Sequence, residues 1–415
     1  MSKVLGIIAE YNPFHNGHLF HLNESKKLTG SSYTVAIMSG NFAQRGNTSI
    51  IDKWSKAKSA IECGVDLVVE LPVLYSTSSA ENFAEGAIKI LDSLKVVDYL
   101  SFGAETADIN LLNNIATVLN EEPKEYKSLL SEELKKGLSY PKARENALMI
   151  YLNDIKKYSN VLSSPNNILG IEYIKALKKY NSIIQPIAMP RHESGHNDLN
   201  YHGNIASSTA IRNITKNNGF DILRKLMPEP SYTNLIKNIK VGHVVPDLSV
   251  FEKEIKVDGE IIFNLRKMSI YDISQLPDVS EGLEFAIKNA ANSCNSLVEL
   301  LNIIKSKRYT QTRIQRILLY SLLGITKKDI AISKKTQPYV RVLGFNEKGK
   351  YLISEVAKAN PKLNIITSVK KFTDKNLNRN LKSMLEKDIW ATDIYTIGYE
   401  YDSWSNLDYT NKIIT

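Results

Sequence analysis

The chain has 415 residues, 43% of them apolar and 23% charged, with a formal net charge of +9. That length exceeds one ordinary core, so two or three domains are expected, and the composition excludes a disordered, collagenous or disulfide-stapled chain. No apolar run approaches the roughly 18–20 residues that span a bilayer. Glu10 ends the first apolar run too early for a signal peptide, and Cys63 and Cys294 read as free thiols of a reducing cytoplasm.

In chain order, five short runs rich in β-branched residues predict strands: "KVLGIIAEY", "YTVAIMS", "VDLVVELP", "VDYLSFGAE" and "IIQPIAMPR". Between them, "HLFHLNESKKL", "DKWSKAKSAIECG", "AENFAEGAIKILDSL" and a longer insert from about Ile109 to Leu177 carry helical spacing. Strands apolar on both faces and separated by helices predict a parallel α/β sheet, which binds ligands at the carboxyl ends of its strands. From about Gly219 the alternation fades into helical spacing, and "YVRVLGFNEKGKYLISEV" reads as two short strands around a turn. The expected division is an α/β domain over 1–220 and a mostly helical region over 221–415.

Charge is unevenly placed. Residues 301–387 hold 20 Lys and Arg against 5 Asp and Glu, whereas residues 1–300 hold 32 against 34. So local an excess predicts a polyanionic partner. Within it, "KRYTQTRIQR" sets Lys307, Arg308, Arg313 and Arg316 around Tyr309, a composition suited to single-stranded RNA.

The first strand runs into "YNPFHNGH", Tyr11 to His18. A helix starting between Pro13 and Asn16 would offer phosphate its unpaired N–H groups, with His15 and His18 on one face and Gly17 permitting close approach. Two imidazole donors there suit the charge that builds on an α-phosphate during nucleotidyl transfer. The same spacing also permits a metal site, or histidines that cap and pack. Some 190 residues on, "IASSTAIR" predicts a second helix start, capped by Ser208 or Thr209 and carrying Arg212.

"HNGH" and "SSTAIR" resemble the HxGH and SSTxxR-type motifs of the nucleotidyltransferase superfamily. With "EYNPFHNGH", "MSGNFAQRG", "GVDLVVELP", "SFGAE", "GLSYPKAR", "SPNNILGIEY" and "KRYTQTRIQR" in order, the chain resembles the bacterial tRNA(Met) cytidine acetate ligases past residue 340. The resemblance implies a Rossmann-like parallel-sheet nucleotidyltransferase domain followed by a mostly helical, basic C-terminal region. It implies that acetate attacks ATP to give acetyl-adenylate, and that N4 of the wobble cytidine of elongator tRNA(Met) takes the acetyl group in the cytoplasm. It assigns ATP binding to Ile7, Ile8, Ala9, Glu10, Tyr11, Asn12, Pro13, Phe14, His15, Asn16, Gly17, His18, Leu19 and Phe20, and to Gly103, Asn166 and Arg191, with His15 and His18 catalytic. Asn167 and Arg212 are lesser nucleotide candidates, and Asn41, Gln44 and Arg45 are candidates to orient acetate or phosphate. His21 is expected to pack or to face solvent.

Mg2+ is expected on the triphosphate, with no dedicated protein ligands visible. Where the family's basic word commonly carries Trp this chain has Gln311, so no stacking is expected there. The competing functions are a small-molecule adenylyltransferase of cofactor biosynthesis and a non-catalytic RNA-binding protein.

Overall fold

The structure is a computed structural model that describes residues 2–191, 201–217, 219–245, 258–280, 282–305, 309–373 and 378–415. The five expected strands form as β1 (Val4–Ala9), β2 (Tyr33–Ser39), β3 (Leu67–Leu71), β4 (Tyr99–Ala104) and β5 (Gln185–Pro190). A hairpin follows, β6 (Tyr201–His202) with β7 (Ile205–Ala206), and late in the chain come β8 (Tyr339–Phe345) and β9 (Asn364–Ile366). One seven-stranded sheet runs β5-β4-β1-β2-β3-β8-β9. Its first five strands are mutually parallel; β8 lies antiparallel to β3, and β9 parallel to β8.

Period-two alternation sets the layers. Val35 and Ile37 of β2 enter one core, while Ala36 and Met38 enter another on the opposite face with Leu5, Ile7, Phe14 and Trp54. Both faces are covered by helices, as a parallel sheet requires. The strand order reverses between β1 and β4, which places a ligand crevice at their carboxyl ends.

Two expectations change. Only "YVRVLGF" is a strand; the second half of that stretch is the helix Glu347–Ala359, with Asn346 accepting the Gly349 N–H as its cap. Leu352 and Val356, one helical turn apart, are buried along one side of this helix. Residues beyond 338 also complete the sheet, so the sheet itself draws on both sides of the expected division at 220/221.

The tail is tied in by buried charge. Lys53 Nζ lies 2.9 Å from Glu70 and 2.8 Å from Asp408, and Arg341 pairs with both carboxylates. Asp388 accepts the Val73 N–H at 2.7 Å and the Tyr339 hydroxyl.

Candidate active site

β1 ends at Ala9, Tyr11 takes a left-handed φ of 46°, and the helix Asn16–Thr29 starts with His15 as its cap. The chain turns so that both histidines cap their own helix. His15 Nδ1 accepts the Gly17 N–H at 3.1 Å, and His18 Nδ1 accepts the His15 N–H at 3.3 Å. The rings stack with centroids 3.7 Å apart. A Cβ on Gly17 would lie 2.9 Å from His15 Cε1, so the glycine makes room for the catalytic candidate itself.

Burial first, then the nearby charges of Arg191 and Arg212, pull His15 down to about 3. Burial, His15, Arg191 and His21 hold His18 well below its ordinary value. Both rings are therefore neutral near pH 7. Because each Nδ1 accepts, the remaining proton sits on each Nε2 and leaves a donor there. His21, pulled down to about 4 by burial and Arg191, lies 3.0 Å from Ser101 Oγ, and Ser101 Oγ lies 2.7 Å from Ser25 Oγ. It packs.

The rest of Ile7–Phe20 divides into scaffold and rim. Ile7, Tyr11, Phe14 and Asn12 are buried, and Tyr11 and Phe14 rest against the His18 ring. Asn12 Oδ1 accepts the Ile50 N–H at 2.8 Å, and its carbonyl accepts Arg212 Nη1–H at 2.9 Å. Asn16 Nδ2 donates to the Asn204 and Lys225 carbonyls. Ile8, Ala9, Glu10, Pro13 and Leu19 lie in or beside the strand and helix ends, and Phe20 is exposed.

The β4 and β5 ends supply the opposite wall. A Cβ on Gly103 would lie 3.2 Å from Arg191 Cγ, so this glycine lets the arginine lie across the strand end. Arg191 N donates to the Ala104 carbonyl at 3.1 Å. Asn166 does not cap its helix, Pro165–Lys179. Its Nδ2 donates to Glu105 Oε1 at 2.6 Å, and Asn167 N donates to Glu105 Oε2 at 3.0 Å. Asn167 is fully buried and accepts the Thr106 N–H, which makes it scaffold. Glu105 was not anticipated, although it stands in "SFGAE"; a carboxylate just past a strand end was the available signal.

The helix Ser208–Lys216 is capped by Ser207, one residue before the expected Ser208 or Thr209. Arg212 follows in its next turn and also donates to Thr209 Oγ1.

In the loop after β2, Asn41 is buried and accepts the Lys53 N–H, while Gln44 donates to Glu10 Oε1 and to the Ser78 carbonyl. The Arg45 backbone runs on into Gly46, at φ 80°. A Cβ on Gly46 would lie 2.8 Å from Arg316 N, so this loop abuts the helix Gln311–Leu323. That contact corrects the reading of the basic word. Arg316 is buried and pairs with Asp278 at 2.8 Å; Arg313 donates to the Asp278 carbonyl and Ser280 Oγ and covers the Tyr309 ring. These two arginines brace the fold. Lys307 and Arg308 lie outside the described residues, as do His192 to His196 of the β5 end.

Among the described residues no group of three or more His, Cys, Asp or Glu side chains is placed to hold a metal ion. No described helix is long and apolar enough to cross a membrane.

A helix start bearing paired imidazoles, at the switch point of a parallel sheet, defines a nucleotidyltransferase site. Residues 2–408 match the family model described as HIGH Nucleotidyl Transferase. Proteins named tRNA(Met) cytidine acetate ligase from Thermoanaerobacter sp. (strain X514) and Acetivibrio thermocellus are 45% and 43% identical to the chain, each across 99% of both sequences. The crystal structure of Thermotoga maritima TmcAL superposes with a TM-score of 0.94 in its apo form I and 0.91 when bound with alpha-thio ATP, at 35% identity and 99% coverage of both chains. The chain belongs to the tRNA(Met) cytidine acetate ligase family.

Proposed function

We propose that this chain activates acetate with ATP and acetylates N4 of the wobble cytidine of elongator tRNA(Met). The observation that carries the reading is the neutral His15–His18 pair, each ring with its Nε2–H left to donate, facing the Arg191 and Arg212 charges. A cytosine amine is a weak nucleophile and a carboxylate a poor acyl donor, so the acid must first be adenylated. In that step an acetate oxygen bonds to the α-phosphorus and the bond to pyrophosphate breaks. Neutral donors fixed before the reaction stabilise the charge that gathers on the α-phosphoryl oxygens without reorganising. Arg191 and Arg212 supply fixed positive charge, and Gly103 lets the nucleotide approach backbone. Asn166, held by Glu105, is poised to contact the nucleotide. Mg2+ enters with the triphosphate as part of the substrate.

The helix Lys327–Lys335, packed beside Val73–Ser76 just past the carboxyl end of β3, exposes Lys328, Lys334 and Lys335, which favours an RNA substrate over a small-molecule one. Cytoplasmic action follows from a tRNA substrate. The test is direct. Incubated with ATP, acetate and an elongator tRNA(Met) transcript, the protein should yield N4-acetylcytidine at the wobble position, read by nucleoside mass spectrometry. Unmodified tRNA alongside consumed ATP would contradict the RNA assignment.

A further inference from the structure

The two steps of the proposed reaction differ in what they do with protons. Adenylation moves none, because acetate enters already ionised. Acyl transfer must release one: the N4 lone pair bonds to the acetyl carbon, the C–O bond to AMP breaks with its electrons on the phosphate, and one N4 proton has to leave. His15 and His18 do not suit that task, since each Nδ1 is occupied by a backbone N–H and each Nε2 already carries a proton.

Several carboxylates stand near the carboxyl ends of the strands. Glu70 is locked between Lys53 and Arg341. Glu105 accepts N–H groups from Asn166 and Asn167 on both its oxygens. Asp52 caps its helix at Ser55 and bonds the Tyr399 hydroxyl. Asp388 is held by Val73 and Tyr339. Glu10 differs from all four. One of its oxygens, Oε1, accepts the Gln44 N–H at 2.9 Å, and among the described residues nothing donates to Oε2.

Its place is also distinctive. Glu10 directly follows β1 and is half-buried, five residues before His15. Its carbonyl accepts the buried Lys56 ammonium at 3.0 Å, which fixes the backbone. On the β2 side its carboxylate meets Gln44. Towards β4 its charge reaches Tyr173, whose hydroxyl is held above its ordinary value by burial and then by Glu10. The carboxylate therefore stands at the carboxyl end of β1, beside the loop that abuts the helix Gln311–Leu323.

We propose that Glu10 is the general base of acyl transfer, taking the N4 proton on Oε2 as the carbon–nitrogen bond forms. This rests on the reading that the chain activates acetate. Acetate-dependent exchange of pyrophosphate into ATP by the wild-type chain checks that reading separately.

Glu10→Gln keeps an oxygen for the Gln44 N–H and removes the base. It should lower single-turnover transfer from acetyl-adenylate to tRNA by at least about 10²-fold more than it lowers acetate-dependent exchange, the scale of general-base catalysis. Hydroxylamine, a stronger nucleophile than the cytosine amine, should still intercept the variant's acetyl-adenylate as fast as exchange allows. Glu10→Asp should recover part of the transfer rate. Wild-type transfer by Glu10→Gln would overturn the assignment. So would an equal loss of exchange, hydroxylamine capture and transfer, which would make Glu10 a purely structural loop residue.

Discussion

At the scale of single residues, His15 and His18 combine two tasks that sequence spacing only partly reveals. The HNGH pattern places them on a helix start; the use of both Nδ1 atoms as caps, which fixes the donors, depends on backbone geometry. His18→Ala should slow acetate-dependent exchange by at least about 10²-fold and cost about 1 kcal/mol for the missing cap. Normal exchange with reduced thermal stability would make capping its only role. Acid should act through the same burial. Folded His15 binds a proton only near pH 3 and folded His21 near 4, whereas unfolded imidazoles do so near 6.5. Between those values the unfolded chain holds the extra protons. Stability is thus intact above about pH 6.5 and falls on acidification by up to about 1.4 kcal/mol per pH unit for each such histidine. Denaturant melts at pH 7.5 and 5 should show the fall, and His21→Gln should lessen it; identical slopes would contradict the assignment.

At the scale of elements, the five parallel strands were legible because β-branched runs and helix spacing agree with the packing. The charges that weld the tail to the sheet were not, since Lys53, Glu70, Arg341 and Asp408 are scattered along the chain. Their only local trace is a single charge inside an apolar strand, Glu70 in "VVEL" and Arg341 in "YVRVL". Arg341→Met should remove about 3–5 kcal/mol, because Glu70 and Asp408 would stay buried with one cation between them. Chemical denaturation measures it, and a change below about 1 kcal/mol would mean the network is open to water. The helix Glu347–Ala359 was misread for a related reason. Its Tyr351 and Ile353 favour a strand locally, and the Asn346 cap and close packing override them. A Cβ on Gly349 would stand 1.9 Å from the Asp66 carbonyl, so Gly349→Ala should lower the melting temperature measurably.

At the scale of the molecule, the positive charge that the sequence concentrates in residues 301–387 is divided by the fold. The helix Glu347–Ala359 packs at the amino-terminal edge of the parallel strands, where Lys348 donates to the Ser32 carbonyl, away from the crevice. The helix Lys327–Lys335 instead lies beside Val73–Ser76, just past the carboxyl end of β3, with Lys328, Lys334 and Lys335 exposed. If this side meets tRNA, changing those three lysines to Ala should weaken tRNA binding and flatten its log–log salt dependence by about 0.7–0.9 for each phosphate no longer neutralised, while acetate-dependent exchange persists. An unchanged salt slope would move the RNA face elsewhere. The central claim, that the crevice between β1 and β4 adenylates acetate, meets its most direct test without RNA. Purified protein with ATP, acetate and labelled pyrophosphate should exchange label into ATP only when acetate is present, and Arg191→Ala should suppress that exchange. Exchange that ignores acetate, or that requires a different acid or phosphate ester in its place, would contradict the account.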